Sequence, residues 1–161
     1  MRKLLLVLLL YSLIFTPAIA HAATGDPLLE PINEDKCTDG SDLVRGAIEF
    51  VIDGGGSEIT DGIKGDLEIP FNCTIQRVTL LADVSGSIVV DIWVDTYALY
   101  APTDADSITA SAVPTISSAI KSQDITLSGW TTSLSAGSII RYNVDSCTTI
   151  TRCTVSLVVE K

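Results

Sequence analysis

Histidine is almost missing from this 161-residue chain, whose single copy is His21. With no imidazole beyond position 21, the remainder cannot assemble a Ser-His-Asp or Cys-His nucleophile, nor a histidine-based metal site. Basic residues are also scarce, 10 Lys and Arg against 20 Asp and Glu. A chain so acidic, with no basic patch, repels nucleic acid and anionic lipid surfaces. Long apolar runs are absent except for Leu4 to Phe15, which is shorter than the roughly 20 residues a membrane-spanning helix needs. No C-x-x-C pair occurs among the four cysteines, which argues against zinc. Aromatic residues make up only 6% of the chain, so the few present are worth placing individually.

What is there begins with a secretory pattern. Met1, Arg2 and Lys3 form a basic start, Leu4 to Phe15 an apolar stretch, and Thr16-Pro17 a break. Small residues follow in Ala18-Ile19-Ala20 and Ala20-His21-Ala22, two overlapping cleavage signals. The expected organisation is a signal peptide over 1–22, an extended N-terminal lead over 23–44 and one domain over 45–161. Loss of Arg2 and Lys3 leaves 8 basic and 20 acidic residues, a net charge of −12. The mature protein is expected outside the cytoplasm, secreted, extracellular or periplasmic, and free of the membrane once the signal is cut.

Four cysteines in a secreted chain point to disulfides. Cys147 and Cys153 flank a polar stretch between two strand-like runs, the arrangement of a clamp on a hairpin. Pairing them leaves Cys37, in the lead, for Cys73, at the start of a strand. Such a link would close a loop contributing about 3 to 4 kcal/mol.

The domain reads as strands. Ile48, Phe50 and Ile52 share one face of a two-residue period, and Asp53-Gly54-Gly55-Gly56-Ser57 ends it. Cys73 to Ala82 is a further strand, with Asp83-Val84-Ser85-Gly86 as a turn signal after it. The clearest strand follows: Ile88, Val90, Ile92 and Val94 face the core, opposite Val89, Asp91, Trp93 and Asp95. Residues 96–121 shift to Ala, Ser, Thr, Asp and Pro, a long connection with room for a helical turn capped at Thr103 or Asp104. Short runs at Ile125 to Leu127, Leu134, Ser138 to Val144 and Cys153 to Val159 complete the pattern. Six to nine short strands and almost no helix predict an all-β fold, a two-sheet antiparallel β-sandwich or jelly roll.

Candidate chemistry is sparse. Glu49, Glu58, Glu68, Asp91 and Asp95 could in principle form an acid and base pair, but strands routinely carry such acids on a solvated face. The Asp53 to Asp61 loop has three acids suited to calcium, though its spacing is not that of an EF-hand and a flexible turn explains it more simply. The aromatic set is more informative. Trp93 lies between Asp91 and Asp95, with Tyr97 and Tyr100 following at once. Rings beside carboxylates can stack on sugars while the acids accept hydroxyl hydrogen bonds. Alternatively, the 96–121 connection folds back and buries Trp93. No catalytic residue, metal or cofactor is expected.

The stretches Ile48 to Gly56, Gly62-Ile63-Lys64-Gly65-Asp66, Ser87 to Trp93, Pro102 to Ile108 and Gly129-Trp130-Thr131-Thr132 together resemble a β-rich domain of bacteriophage structural proteins, often tail or fibre components. The resemblance covers nearly everything from Arg45 onward. It implies a β fold and a structural role, with copies of itself or a larger surface or virion-like assembly as partners. The signal peptide and the Cys147, Cys153 pair depart from that pattern and suggest a version adapted to an oxidising exterior. Two functions are therefore expected: a non-enzymatic structural or adhesive surface module, or a carbohydrate-binding module using the face around Trp93.

Overall fold

The computed structural model describes residues 44–161; the expected signal peptide and the expected lead up to residue 43, with Cys37, lie outside the described residues. Seven strands form one antiparallel sheet: β1 (Arg45–Asp53), β2 (Gly62–Glu68), β3 (Cys73–Thr96), β4 (Thr115–Asp124), β5 (Ser133–Leu134), β6 (Ser138–Thr148) and β7 (Arg152–Glu160). Helix among the described residues is limited to single 3-10 turns at Tyr97–Leu99 and Asp104–Asp106. The second lies in the long connection and is capped by Thr103, whose side chain and backbone N–H both meet the Asp106 carboxylate.

The all-β expectation holds, but the sheet is continuous where two separate layers were expected. Its cause is β3. Asp83-Val84-Ser85-Gly86, read as a turn, does not reverse the chain, and β3 runs through it for 24 residues. On one edge β3 pairs with β7 over Thr74–Ala82 and with β6 over Ser87–Thr96. On its other edge it pairs with β4 on both sides of the same point, over Val78–Leu81 and Gly86–Val89. β6 and β7 thus lie end to end along β3, and β1 and β2 lie end to end beside them. β4 itself arises inside what composition suggested was a structureless connection.

The breaks fall on one line. Gly54 N donates to Thr151 O at 2.8 Å and Ile59 N to Ile150 O at 2.9 Å, joining the β1–β2 loop to the β6–β7 break. Asp83 accepts from Thr151 N, Thr151 Oγ1 and Arg152 N, and Glu58 accepts from Thr149 N. A Cβ on Gly86 would stand 2.4 Å from Thr148 O, so only glycine lets the β3 bend approach the break this closely. Along this line the sheet curls into a half-barrel around its apolar face.

That face is the core. Ile88, Val90 and Ile92 of β3, Ile140, Tyr142 and Val144 of β6, and Cys153, Val155, Leu157 and Val159 of β7 are all buried. These positions recur every second residue along each strand, and burying one such side chain contributes about 1.5 to 3 kcal/mol. Across the curl, Phe50 stacks on Tyr142 with ring centroids 4.6 Å apart, and its ring lies over Gly65, where a Cβ would come within 2.8 Å. The Tyr142 hydroxyl has no hydrogen-bond partner among the described residues, and burial pushes its ionisation upward.

The Cys147–Cys153 disulfide is not formed. Both are free thiols, turned to backbone carbonyls: Cys147 Sγ lies 3.6 Å from Ile150 O and Cys153 Sγ 3.9 Å from Thr154 O. Burial pushes the Cys153 thiol up to about 11 and raises Cys147. These positions pack as small hydrophobes against the core at the line of breaks. Cys73 is likewise a buried thiol, and its expected partner, Cys37, lies outside the described residues.

Candidate functional site

On the convex face of β3 and β6 the period of two places Asp91, Trp93 and Asp95 beside Arg141, because Trp93 pairs directly with Arg141. The chain leaving β3 crosses this face. After the 3-10 turn at Tyr97–Leu99 it reaches Pro102, whose carbonyl accepts from Arg141 Nη1 at 3.0 Å. It returns to the β3 edge at Ser107, which bridges to Trp93, while Ile108 N donates to Ile92 O at 2.9 Å. This strap leaves Trp93 8% and Asp91 5% exposed.

Two polar clusters hold the strap. In the first, Asp91 Oδ1 accepts from Thr109 Oγ1 at 2.6 Å, Ser107 Oγ at 2.8 Å and Ile92 N at 2.7 Å, and Oδ2 accepts from Trp93 Nε1 at 2.7 Å. The indole of Trp93 therefore spends its one donor on its neighbour. In the second, Arg141 forks onto Asp66 of β2, with Nε to Oδ1 at 2.6 Å and Nη2 to Oδ2 at 2.7 Å. The Tyr100 hydroxyl donates to Asp66 Oδ2 at 2.9 Å, and the Arg141 guanidinium carbon sits 5.5 Å from the Tyr100 ring centroid. The hydrogen bond from Arg141 lowers the Asp66 carboxyl below its usual range against the opposing effect of burial, and Asp66 raises Arg141 in turn.

The five residues singled out from sequence thus divide. Asp91 and Trp93 are covered and bonded to each other. Asp95 is half-buried, with Oδ1 accepting from Thr96 N at 2.6 Å. Tyr97, at 77% exposure, and Tyr100, at 59%, stand outward together with Leu99, at 66%. Asp66 and Arg141 belong to this site and were not legible in sequence, because β2 and β6 meet only through long-range pairing. Asp145 lies on the same limb: burial raises its carboxyl, Asn143 opposes this with a hydrogen bond, and the charges of Asp91, Asp104 and Asp61 add to the rise.

The other carboxylates considered do not form a pair. Glu49 accepts from Ser156 Oγ at 3.2 Å, and Glu58 is engaged by Thr149. In the glycine-rich loop, Asp53 Oδ1 accepts from Gly55 N at 2.7 Å, a turn-forming bond. Among the described residues no group of three or more His, Cys, Asp or Glu is placed to hold a metal ion. In comparisons with family models, curated proteins and solved structures, nothing matches this chain.

Proposed function

We propose that this chain is a non-enzymatic, secreted structural or adhesive module, of the kind it resembles in bacteriophage tail and fibre components, and that copies associate by edge-to-edge pairing of β1. In this reading the two limbs of the curled sheet serve as the layers of a sandwich-like unit. The observation that carries it is the contrast between the sheet's edges. β2 is interrupted by a register shift at Ile63/Gly65 and carries Lys64; β4 is interrupted by two shifts and carries Lys121. Such devices discourage pairing with another chain. β1 has nine residues in unbroken register with β7, no Pro and no Lys, and its Ala47 and Val51 are exposed. Arg45 and Asp53 stand at its opposite ends, so an antiparallel second β1 brings opposite charges together at both ends.

Sedimentation velocity on the mature chain tests this. Wild type is expected to associate as concentration rises, and Ala47→Lys and Val51→Lys to stay monomeric with unchanged circular dichroism. A wild type that is monomeric throughout, or lysine variants that associate equally well, would refute assembly through β1. The exposed turn at Tyr97–Tyr100 favours a second reading, a carbohydrate-binding module whose aromatic surface is this turn, since Trp93 is covered.

A further inference from the structure

We infer that Tyr100, with Tyr97 beside it, is a pre-set stacking plate for a neutral sugar ring, with Asp66 as the nearby hydroxyl acceptor. The inference rests on the carbohydrate-binding reading and adds which residues bind and which glycans are taken.

An exposed tyrosine ordinarily loses side-chain freedom when it stacks on a ligand, which costs affinity. Tyr100 has already lost it. Its hydroxyl donates to Asp66 Oδ2 at 2.9 Å, and Arg141 Nη2 approaches that hydroxyl at 3.4 Å. The guanidinium carbon of Arg141 lies 5.5 Å from the ring centroid. The residue is nevertheless 59% exposed, which leaves ring surface for a ligand. Arg141 is itself fixed by Asp66 and by Pro102 O, so the plate is mounted on β2 and β6 and not only on the turn. The turn is closed by Tyr100 N donating to Tyr97 O at 3.3 Å, which sets Tyr97 and Leu99 on the same short 3-10 element.

The electrostatics select the ligand. Asp66 neutralises Arg141, and the surrounding acids Asp95, Asp104, Asp106 and Asp145 give the strap and its limb a negative field. That field disfavours uronates, sulfated glycans and sialic acids. A ring with an apolar face and neutral hydroxyls fits: the face stacks on Tyr100 and the hydroxyls donate to carboxylates. The Arg141 guanidinium is already engaged by Asp66, which leaves it poorly placed to recruit an anion.

Affinity electrophoresis of the mature chain through gels containing a β-glucan, a galactomannan, a xylan or alginate tests the site. Retardation is expected in at least one neutral polysaccharide and not in alginate, with Tyr100→Ala weakening it about tenfold or more and Tyr97→Ala weakening it less. Tyr100→Phe keeps the ring but removes the hydroxyl that fixes it, so it should weaken binding several-fold, less than Tyr100→Ala does; binding equal to wild type would overturn the pre-setting. Because Tyr100→Ala could loosen the strap, its thermal midpoint is measured alongside, and Tyr97→Ala, on a largely exposed residue, serves as the second variant. Neutral-glycan binding that survives both alanine substitutions would overturn the plate while leaving the carbohydrate-binding reading intact. Absence of retardation in every neutral gel, or retardation in alginate alone, would overturn both.

Discussion

At Asp91 a carboxylate almost sealed from water accepts four hydrogen bonds, from Ile92 N, Trp93 Nε1, Ser107 Oγ and Thr109 Oγ1. Removing it strands the Trp93 Nε1 donor and one of the Ser107 and Thr109 hydroxyls, which lie 3.2 Å apart and can still bond each other, in a buried site, each unpaired donor costing about 1 to 3 kcal/mol. Asp91→Ala should therefore destabilise the domain by roughly 3 kcal/mol in urea denaturation. In a Trp130→Phe background it should also open Trp93 to acrylamide quenching, because the strap loses its anchor. The opposite sign is expected at Tyr142, whose hydroxyl has no partner among the described residues. Tyr142→Phe keeps the stack on Phe50 and removes an unsatisfied oxygen, so its denaturation midpoint should rise, by about 1 kcal/mol of stability. A lower midpoint would mean the hydroxyl is satisfied in solution. Sequence made Asp91 and Trp93 legible as neighbours on one face, since a two-residue period fixes that much. Whether the face was wet or covered depended on where 97–110 went, and nothing local to Asp91 encodes it.

The bend in β3 is where element-scale behaviour concentrates. Gly86 faces the Thr148 carbonyl at a distance no Cβ tolerates, and a backbone oxygen cannot swing aside. Gly86→Ala should cost about 1 to 3 kcal/mol, whereas Gly46→Ala in β1, with nothing within 4 Å, should be nearly neutral in the same assay. Asp83 clamps the same line, and the hydrogen bond from the Thr151 hydroxyl, together with the Arg152 and Thr151 amides, holds its carboxyl down to about 2. A folded-state value below the unfolded one of about 3.9 means that the stabilisation is present above that pH and is lost as pH falls toward about 2. The difference in thermal midpoint between wild type and Asp83→Asn should therefore be largest near neutrality and shrink through that window. A difference independent of pH would exclude the carboxylate as the clamp. Asp83-Val84-Ser85-Gly86 carries the residues of a turn, and they do relieve the chain here. Whether that relief becomes a reversal or a bend is decided by β4, β6 and β7 holding both halves of β3 in register.

For the whole molecule, net charge opposes assembly and edge geometry favours it. At a formal net charge of −10, copies of the chain repel one another, and salt screens that repulsion over about 8 to 10 Å. Association through β1 should accordingly strengthen between 20 and 300 mM salt. An antiparallel pair of β1 strands centred on Glu49 sets that acid against its own copy, so Glu49→Gln should also strengthen association, read as a lower dissociation constant in sedimentation. Weakening by added salt would point instead to attraction between charges as the driving force. The all-β class, the core stripes of β3 and β7 and a helical turn near Thr103 or Asp104 were set by the sequence itself, because side-chain period and capping chemistry act over a few residues. Only the tertiary structure decided that the strands form one curled sheet, that β4 lies in an apparently irregular stretch, that Cys147 and Cys153 remain thiols, and that Asp66 and Arg141 brace Tyr100. Each of these depends on pairing between segments distant in the chain, whose free energy is shared by many weak contacts and leaves no local mark in the order of residues.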